Sequence, residues 1–314
     1  MQINLKPKIY IIIISWNNYN DTKKCLSSLN NIYYSNLGVI VVDNGSTDGS
    51  IQKIQKEFPD CGYILNQENL GYTKALNLAV KQALNFGAEY IFPLNNDAWI
   101  EDRNFFTKLV EFAETDKKIG IVAPQQKFPN GNLQLSAYQV FIPQILYFFL
   151  PKIFADFFSF GLSSDFNEIK EVLWANGMYL VKKETLKSVG SFDERFFVGG
   201  EDVDYCLRAH KLGWKVYYYP NISFFHIGGN SRKNFESVSI GYNKLTIESN
   251  ALLIYKYRHR LIAHSYRYLL AAGLFLRAGE WFILSFSGKR KYKLELAKQF
   301  LNACFQTLKF IPKT

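Results

Sequence analysis

The chain has 314 residues, of which 48% are hydrophobic and 17% aromatic. That composition buries a large core and excludes a disordered protein. The formal net charge of +10 sits at one end: from Ala251 onward there are 12 Lys/Arg and 2 Asp/Glu, while residues 1–250 hold 25 of each sign. A nucleic-acid enzyme more often spreads basic residues around its cleft, so nucleic acid is not an expected partner.

Residues 8–14 (KIYIIII) are short, continuous and β-branched, the pattern of a strand buried in a parallel sheet. A helix is expected over 21–30, a second strand over 39–42, and a helix from Asp48 or Ser50 to Phe58. Residues 63–65 read as a short strand. The next helix spans 72–85, with Leu76, Ala79, Val80 and Ala83 at helical spacing. A strand over 90–94, a helix over 102–115 and a strand over 119–123 follow. Strands alternating with helices predict a doubly wound, mostly parallel α/β sheet flanked by helices, with ligands at the carboxyl ends of its strands. Ser15-Trp16, Asp43-Asn44, Asn66 to Gly71 and Asn95 to Asp97 then share one edge.

Beyond residue 124 the alternation stops. Pro129-Asn130-Gly131-Asn132 is a turn. Residues 138–161 are aromatic and apolar, but Pro143, Pro151, Lys152 and Asp156 argue against a transmembrane helix, leaving core or lid packing ahead of a membrane-dipping segment. Residues 171–181 read as a strand, 202–212 as a helix and 215–219 as a strand. The four cysteines are far apart, which excludes a disulfide framework or a zinc site. A reducing compartment is expected, and the N-terminal residues lack signal-peptide features.

Several strands end in polar groups that a core has no use for unless they meet a ligand. Asp43-Asn44-Gly45-Ser46-Thr47-Asp48 can face a base, ribose or phosphate, though a capped turn uses the same residue types. In Asn69-Leu70-Gly71-Tyr72, Gly71 permits close backbone approach and the following helix N-terminus suits a diphosphate; a plain turn fits as well. Asn77 is a further polar contact or a solvent-facing residue. Asn95-Asn96-Asp97 closes a strand. Asp97 is the candidate to hold a hard divalent cation against a diphosphate, against the alternative of an Asx turn. Glu201-Asp202 opens a helix behind Gly199-Gly200, and Asp202 is the candidate general base. The helix dipole alone also favours acids there. Asp204 and Arg208, spaced i,i+4, suit an ion pair. His226 can complete a metal site, although a lone histidine is more often structural.

Taken in order, IIIISWNNYNDTKKCLSSL, VVDNGSTDGS, NLGY, PLNNDA and SVGSFDERFFVGGEDVDYCLRAHKLGWKVYYYP resemble the family 2 glycosyltransferases of the GT-A fold, particularly their rhamnosyltransferase-like branch. The resemblance covers residues 8–260. It implies transfer of a sugar, with inversion, from a nucleotide-diphosphate sugar to a glycan or lipid-linked acceptor in cell-surface polysaccharide or glycolipid synthesis. It gives Asp43 a nucleobase contact, with Asn44, Asn69, Gly71, Asn95 and Asn96 on the nucleotide-sugar side. Asp97 and His226 are implied ligands of Mg²⁺ or Mn²⁺, and Glu201-Asp202 the catalytic pair. Asn95 stands where an acidic triplet has its first carboxylate. The branch implies rhamnose as the sugar, but Tyr72-Thr73-Lys74 replaces its usual aromatic-Ala-Gly-Gly, which keeps UDP-hexoses open. Two other readings compete: an inactive GT-A-like binding module, and a nucleotidyltransferase. Asp97, Asp202 and His226 are all present, against the first. No glycine-rich basic loop follows the N-terminal strand, against the second.

The expected organisation is a catalytic domain over 1–250, with a nucleotide half over 1–125 and an acceptor half over 126–250. A basic amphipathic helical tail then covers 251–314. At 100° per residue Lys256, Arg260, His264 and Arg267 fall on one face. Arg267, Arg277 and Glu280 interrupt the apolar run too often for a comfortable span. The expectation is a cytoplasmic enzyme, peripheral at the inner face of the cell membrane through an anionic surface, or a tail that packs as a helical layer.

Overall fold

A computed structural model describes residues 6–139, 167–228, 244–258, 260–287 and 290–309. The aromatic segment at 140–161, Gly229 to Ser231 and Lys289 lie outside the described residues. The chain forms two compact units. The first comprises residues up to 139, those up to 197 and those from Glu201 to 228; the second holds residues 198–200 and the C-terminal helices.

The first unit opens with the expected alternation: β1 (Ile9–Ser15), α1 (Tyr19–Leu29), β2 (Leu37–Asp43), α2 (Ser50–Glu57), β3 (Gly62–Leu65), α3 (Tyr72–Asn85) and β4 (Tyr90–Pro93). Then come β5 (Ala98–Trp99), α4 (Phe105–Ala113), β6 (Ile119–Lys127), β7 (Leu133–Gln134), β8 (Ala137–Tyr138), β9 (Lys170–Glu171), β10 (Trp174–Ala175), β11 (Leu180–Lys182), α5 (Lys183–Val189), α6 (Glu201–Lys211) and β12 (Lys215–His226). The main sheet has the order β3-β2-β1-β4-β11-β6-β12-β5. Strands β3, β2, β1 and β4 are parallel; β11 runs against both β4 and β6; β6 and β12 are parallel again.

Alternate residues of each strand serve opposite layers. Ile9, Ile11, Ile13 and Val41 pack with Leu26 of α1, Ile54 of α2 and Phe105 and Leu109 of α4. Ile12, Ile40 and Val42 pack with Leu76 and Ala79 of α3 and Tyr205 and Cys206 of α6. Both faces of the sheet are therefore covered, which explains why its central strands read as unbroken apolar runs.

Two expectations change. The strand expected over 171–181 is three short pieces, β9, β10 and β11, each with different partners. Asn176 interrupts it, its amides bonding the Ser136 and Leu135 carbonyls. The strand expected over 215–219 continues to His226 through a register shift between Tyr219 and Ser223. Pro220, with no N–H to give, lies inside that shift.

The second unit contains α7 (Lys244–Tyr257), α8 (Arg260–Leu284) and α9 (Arg290–Lys309). Ile254, Ala263, Tyr266, Leu270 and Leu274 meet Phe300, Ala303 and Cys304 in its core. The expected basic face does not form. Lys256 lies on α7, on the far side of a helix break, and Arg267 is buried. Arg277 bonds Glu280 at 2.7 Å. Residues Leu261–Ser287 are long and apolar enough to cross a membrane by length and composition alone, at a mean hydropathy of 1.5.

Candidate active site

The first half of the site forms where β1 and β2 end side by side, Ser15 opposite Asp43. Asn44 N–H donates to the Ser15 carbonyl at 2.8 Å, and Asn66 N–H to the Asp43 carbonyl at 2.9 Å. Asp43 is buried, and its Oδ2 accepts from Ser46 N–H at 3.1 Å. Its Oδ1 is buried with no hydrogen bond. A buried carboxylate oxygen left open at a ligand edge is suited to an N–H donor such as a base. Asn17 fixes this loop from the β1 side. Its Oδ1 accepts from Thr47 N–H at 2.8 Å, and its N–H donates to Ser46 Oγ at 2.9 Å. Asn17 has φ +48°, a conformation asparagine tolerates better than most residues. Sequence reasoning did not single it out.

Asn44 and Asn69 act on the protein itself. Asn44 donates to Asn69 Oδ1 at 2.9 Å and accepts from Asn66 Nδ2 and Leu70 N–H, both at 3.1 Å. Asn69 Oδ1 also accepts from Gly71 N–H at 2.9 Å. These amides brace the loop that enters α3. Gly71 has φ +83°, and a Cβ there would lie 2.7 Å from the Phe197 ring and 2.8 Å from its carbonyl oxygen. That carbonyl accepts from Tyr72 N–H at 2.8 Å. The first N–H of α3 is thus already capped from the segment before α6. Asn77 holds the same segment, bonding the Phe192 N–H and carbonyl and Glu194.

The second half depends on β5. This two-residue strand follows Asn95-Asn96-Asp97 at once and pairs antiparallel with the end of β12, Ala98 opposite His226 and Trp99 opposite Phe225. Trp99 stacks on Phe225 with centroids 5.2 Å apart, and Ile227 N–H donates to the Asp97 carbonyl at 3.1 Å. His226 Nε2 therefore lies 3.1 Å from Asp97 Oδ1. That oxygen is buried and makes no hydrogen bond, so the two atoms approach without the alignment of one. Asn95 Nδ2 is 3.3 Å from His226 Nε2, and His226 Nδ1 is 2.9 Å from Gln134 Oε1. Gln134 Oε1 can only accept, so the tautomer that satisfies it carries its proton on Nδ1 and turns the Nε2 lone pair to the Asp97 side. A carboxylate oxygen and an imidazole nitrogen converging in this way fit a divalent cation, and a partner on the outer nitrogen is typical of metal-binding histidines. Among the described residues no group of three or more His, Cys, Asp or Glu surrounds such a point. The pair would supply two ligands, leaving the rest to phosphate and water. Asn96 turns away, donating to Thr22 Oγ1 at 3.0 Å and tying β4 to α1.

Glu201 and Asp202 open α6. Asp202 Oδ1 accepts from Val203 N–H at 2.8 Å. Tyr72, Tyr138 and Tyr179 all feel the Asp202 charge. Burial is the main reason that their phenols ionise late, and the nearby carboxylate adds to it; Tyr138 is pushed up to about 12. These phenols stay protonated in neutral solution. As neutral phenols they can donate hydrogen bonds. The expected pair behind them forms: Arg208 Nε bonds the fully buried Asp204 at 2.8 Å, and its other nitrogens reach the Val189 and Ser191 carbonyls.

The glycosyl transferase family 2 model matches residues 10–176. An N-acetylglucosaminyl-diphospho-decaprenol L-rhamnosyltransferase of Mycobacterium tuberculosis is 26% identical over 232 residues, 69% of this chain and 75% of the relative. A dTDP-rhamnosyl transferase of Shigella flexneri is 24% identical over 266 residues, 82% of this chain and 80% of the relative. A Pyrobaculum calidifontis mannosyltransferase solved with GDP-Man and Mn²⁺ superposes with TM-score 0.54 at 17% identity, over 96% of this chain and 87% of the other. Staphylococcus aureus TarS with UDP-GlcNAc gives 0.54 at 18% identity, over 97% and 82%. The structural likeness identifies the fold as GT-A, and the family match extends over more than half the sequence: the chain belongs to glycosyl transferase family 2.

Proposed function

We propose that this glycosyltransferase moves a sugar, with inversion, from a nucleotide-diphosphate donor to a hydroxyl of a glycan or lipid-linked acceptor in cell-surface polysaccharide or glycolipid synthesis. The observation that carries the reading is the convergence of Asp97 Oδ1 and His226 Nε2 at 3.1 Å. The rhamnosyltransferase relatives favour rhamnose as the sugar.

Asp43 Oδ1 accepts a hydrogen bond from the base. Asn44 and Asn69 hold the loop that carries Gly71, while Asn95 and Asn96 hold the turn that carries Asp97. Asp97 and His226 are the residues that would bind Mg²⁺ or Mn²⁺. Bound there, the ion neutralises charge developing on the leaving diphosphate. Asp202 takes the proton of the acceptor hydroxyl as its oxygen attacks the anomeric carbon. The bond to the diphosphate breaks on the opposite face, so a single displacement inverts the centre. Glu201 supports this base within the first turn of α6.

The division of labour follows the expected boundaries: catalysis over 1–250, with the nucleotide half before residue 126 and the acceptor half after it, and membrane attachment over 251–314. The enzyme works in the cytoplasm at the inner face of the membrane, where a lipid-linked acceptor resides. Calorimetry of donor binding tests the core of the reading. Asp97→Ala removes most of the gain in donor affinity that Mn²⁺ gives over chelator, and the melting temperature without metal is kept. Equal donor affinity with Mn²⁺ and with chelator in the unmodified enzyme refutes the metal role. Release of pyrophosphate rather than nucleoside diphosphate on turnover refutes the reaction class.

A further inference from the structure

We infer that the outward face of α8 is a lipid-embedding surface that lies in the plane of an anionic bilayer leaflet. Leu261, Tyr268, Phe275 and Phe282 recur every seven residues, and each is followed directly by an isoleucine or leucine. All eight side chains are between 49% and 72% exposed. A seven-residue repeat drifts only about 20° per repeat on an α-helix, so they form one continuous stripe. The stripe runs along a helix about 37 Å long. The opposite face of α8 is already used, with Ala263, Tyr266, Leu270 and Leu274 in the core shared with α9. A helix apolar on both faces with one face packed leaves the other in need of an apolar medium.

Charge decides what that medium is. Residues 251–314 hold 12 basic side chains and only two acidic ones, Glu280 and Glu295. Among the described residues of the tail, Arg258, Arg290, Lys291, Lys298 and Lys309 are exposed against two exposed acids, Glu280 and Glu295, so apposing a second copy would bring together surfaces with a surplus of positive charge. An anionic leaflet supplies the missing charge and the apolar medium together. Orientation follows from α9. Its Lys291, Glu295 and Lys298 are exposed at i, i+4 and i+7. If α8 crossed the bilayer, α9, packed along it, would carry that stripe into hydrocarbon, which is costly. Lying in the plane, α8 sinks its aromatic face below the headgroups and leaves α9 in water.

This inference rests on the membrane-surface reading above but is measured separately from donor binding. The full chain is sedimented with vesicles of equal parts phosphatidylglycerol and phosphatidylcholine, and with phosphatidylcholine alone. Binding to the anionic vesicles is expected to fall at least about tenfold in the double variant Phe275→Asp with Leu276→Asp. Melting temperature and donor affinity stay at wild-type values, because both positions are more than half exposed. Lys291→Glu with Lys298→Glu weakens binding to anionic vesicles and leaves the weak phosphatidylcholine binding unchanged. Undiminished vesicle binding by the Phe275/Leu276 variant overturns the inference. So does a wild-type protein that binds no vesicles and has twice the chain mass by light scattering, with the monomer restored in that variant. Loss of donor affinity in wild-type protein that still binds vesicles refutes the enzymatic reading alone.

Discussion

Replacing Gln134 by leucine tests whether the imidazole of His226 is set by its neighbour. The His226 side chain is only 12% exposed, and its Nδ1–H has Gln134 Oε1 at 2.9 Å. That bond selects the tautomer whose Nε2 lone pair meets Asp97 Oδ1. Leucine keeps the bulk and removes the acceptor. The direct loss is one part-buried hydrogen bond, about 1 kcal/mol in net terms. Without metal this appears as a lower melting temperature, roughly 2–4 °C for each kcal/mol in a chain of a few hundred residues. The larger effect is on metal binding, because losing the outer partner of a ligating histidine costs roughly 10- to 100-fold in affinity. That is about 1.4–2.8 kcal/mol. Gln134→Glu retains an acceptor for Nδ1–H and restores most of the affinity, which separates positioning from packing. The assay is calorimetric titration of Mn²⁺ into enzyme saturated with donor, beside a thermal melt in chelator. Wild-type Mn²⁺ affinity in Gln134→Leu, or equal losses in the leucine and glutamate variants, refutes the reasoning.

Asp202→Asn preserves shape but cannot accept a proton, so turnover falls by roughly two to four orders of magnitude with donor affinity nearly unchanged. Near-normal turnover in that variant moves the role to Glu201. Gly71→Ala forces a side chain into a left-handed conformation against the Phe197 carbonyl, with strain of about 1–3 kcal/mol before any clash is counted. Chemical denaturation should report at least that loss, and Phe197→Ala should rescue only the part due to the ring, because the carbonyl remains.

The alternating half of the fold was legible because its strands are buried on both faces and its helices carry regular apolar spacing. Ile9 to Ile13 and the Leu76–Ala83 stripe each give a long, one-period signal. What stayed hidden was short or non-local. Strand β5 is two residues long, too short for any period, yet it brings Asp97 to His226. Gln134 lies on another two-residue strand, and nothing near it in sequence marks a metal-site neighbour. The amides of Asn44, Asn69 and Asn77 read in sequence as ligand contacts or as ordinary turn and surface residues, and their hydrogen-bond partners have no sequence signal. In the structure they bond the protein's own loops. In the tail, one helical wheel was extended across the break after Tyr257, so Arg267 was assigned to a solvent face that it does not occupy.

The pairing of β5 with β12 also has a consequence for how the enzyme comes into being. Asn95 and His226 are neighbours in space but 131 positions apart in the chain. A ribosome delivers the β1–α3 half, with Asp43 and the Asn44 brace, long before β12 exists. That half can collapse around its own local contacts, whereas closing so distant a pair is entropically late. A polypeptide released between Phe197 and His226 would carry the Asp43 and Gly71 loops with their partners and still lack one arm of the Asp97–His226 pair. The Asp97–His226 pair therefore forms only once translation has run past the end of the sheet, whatever the earlier strands have already built.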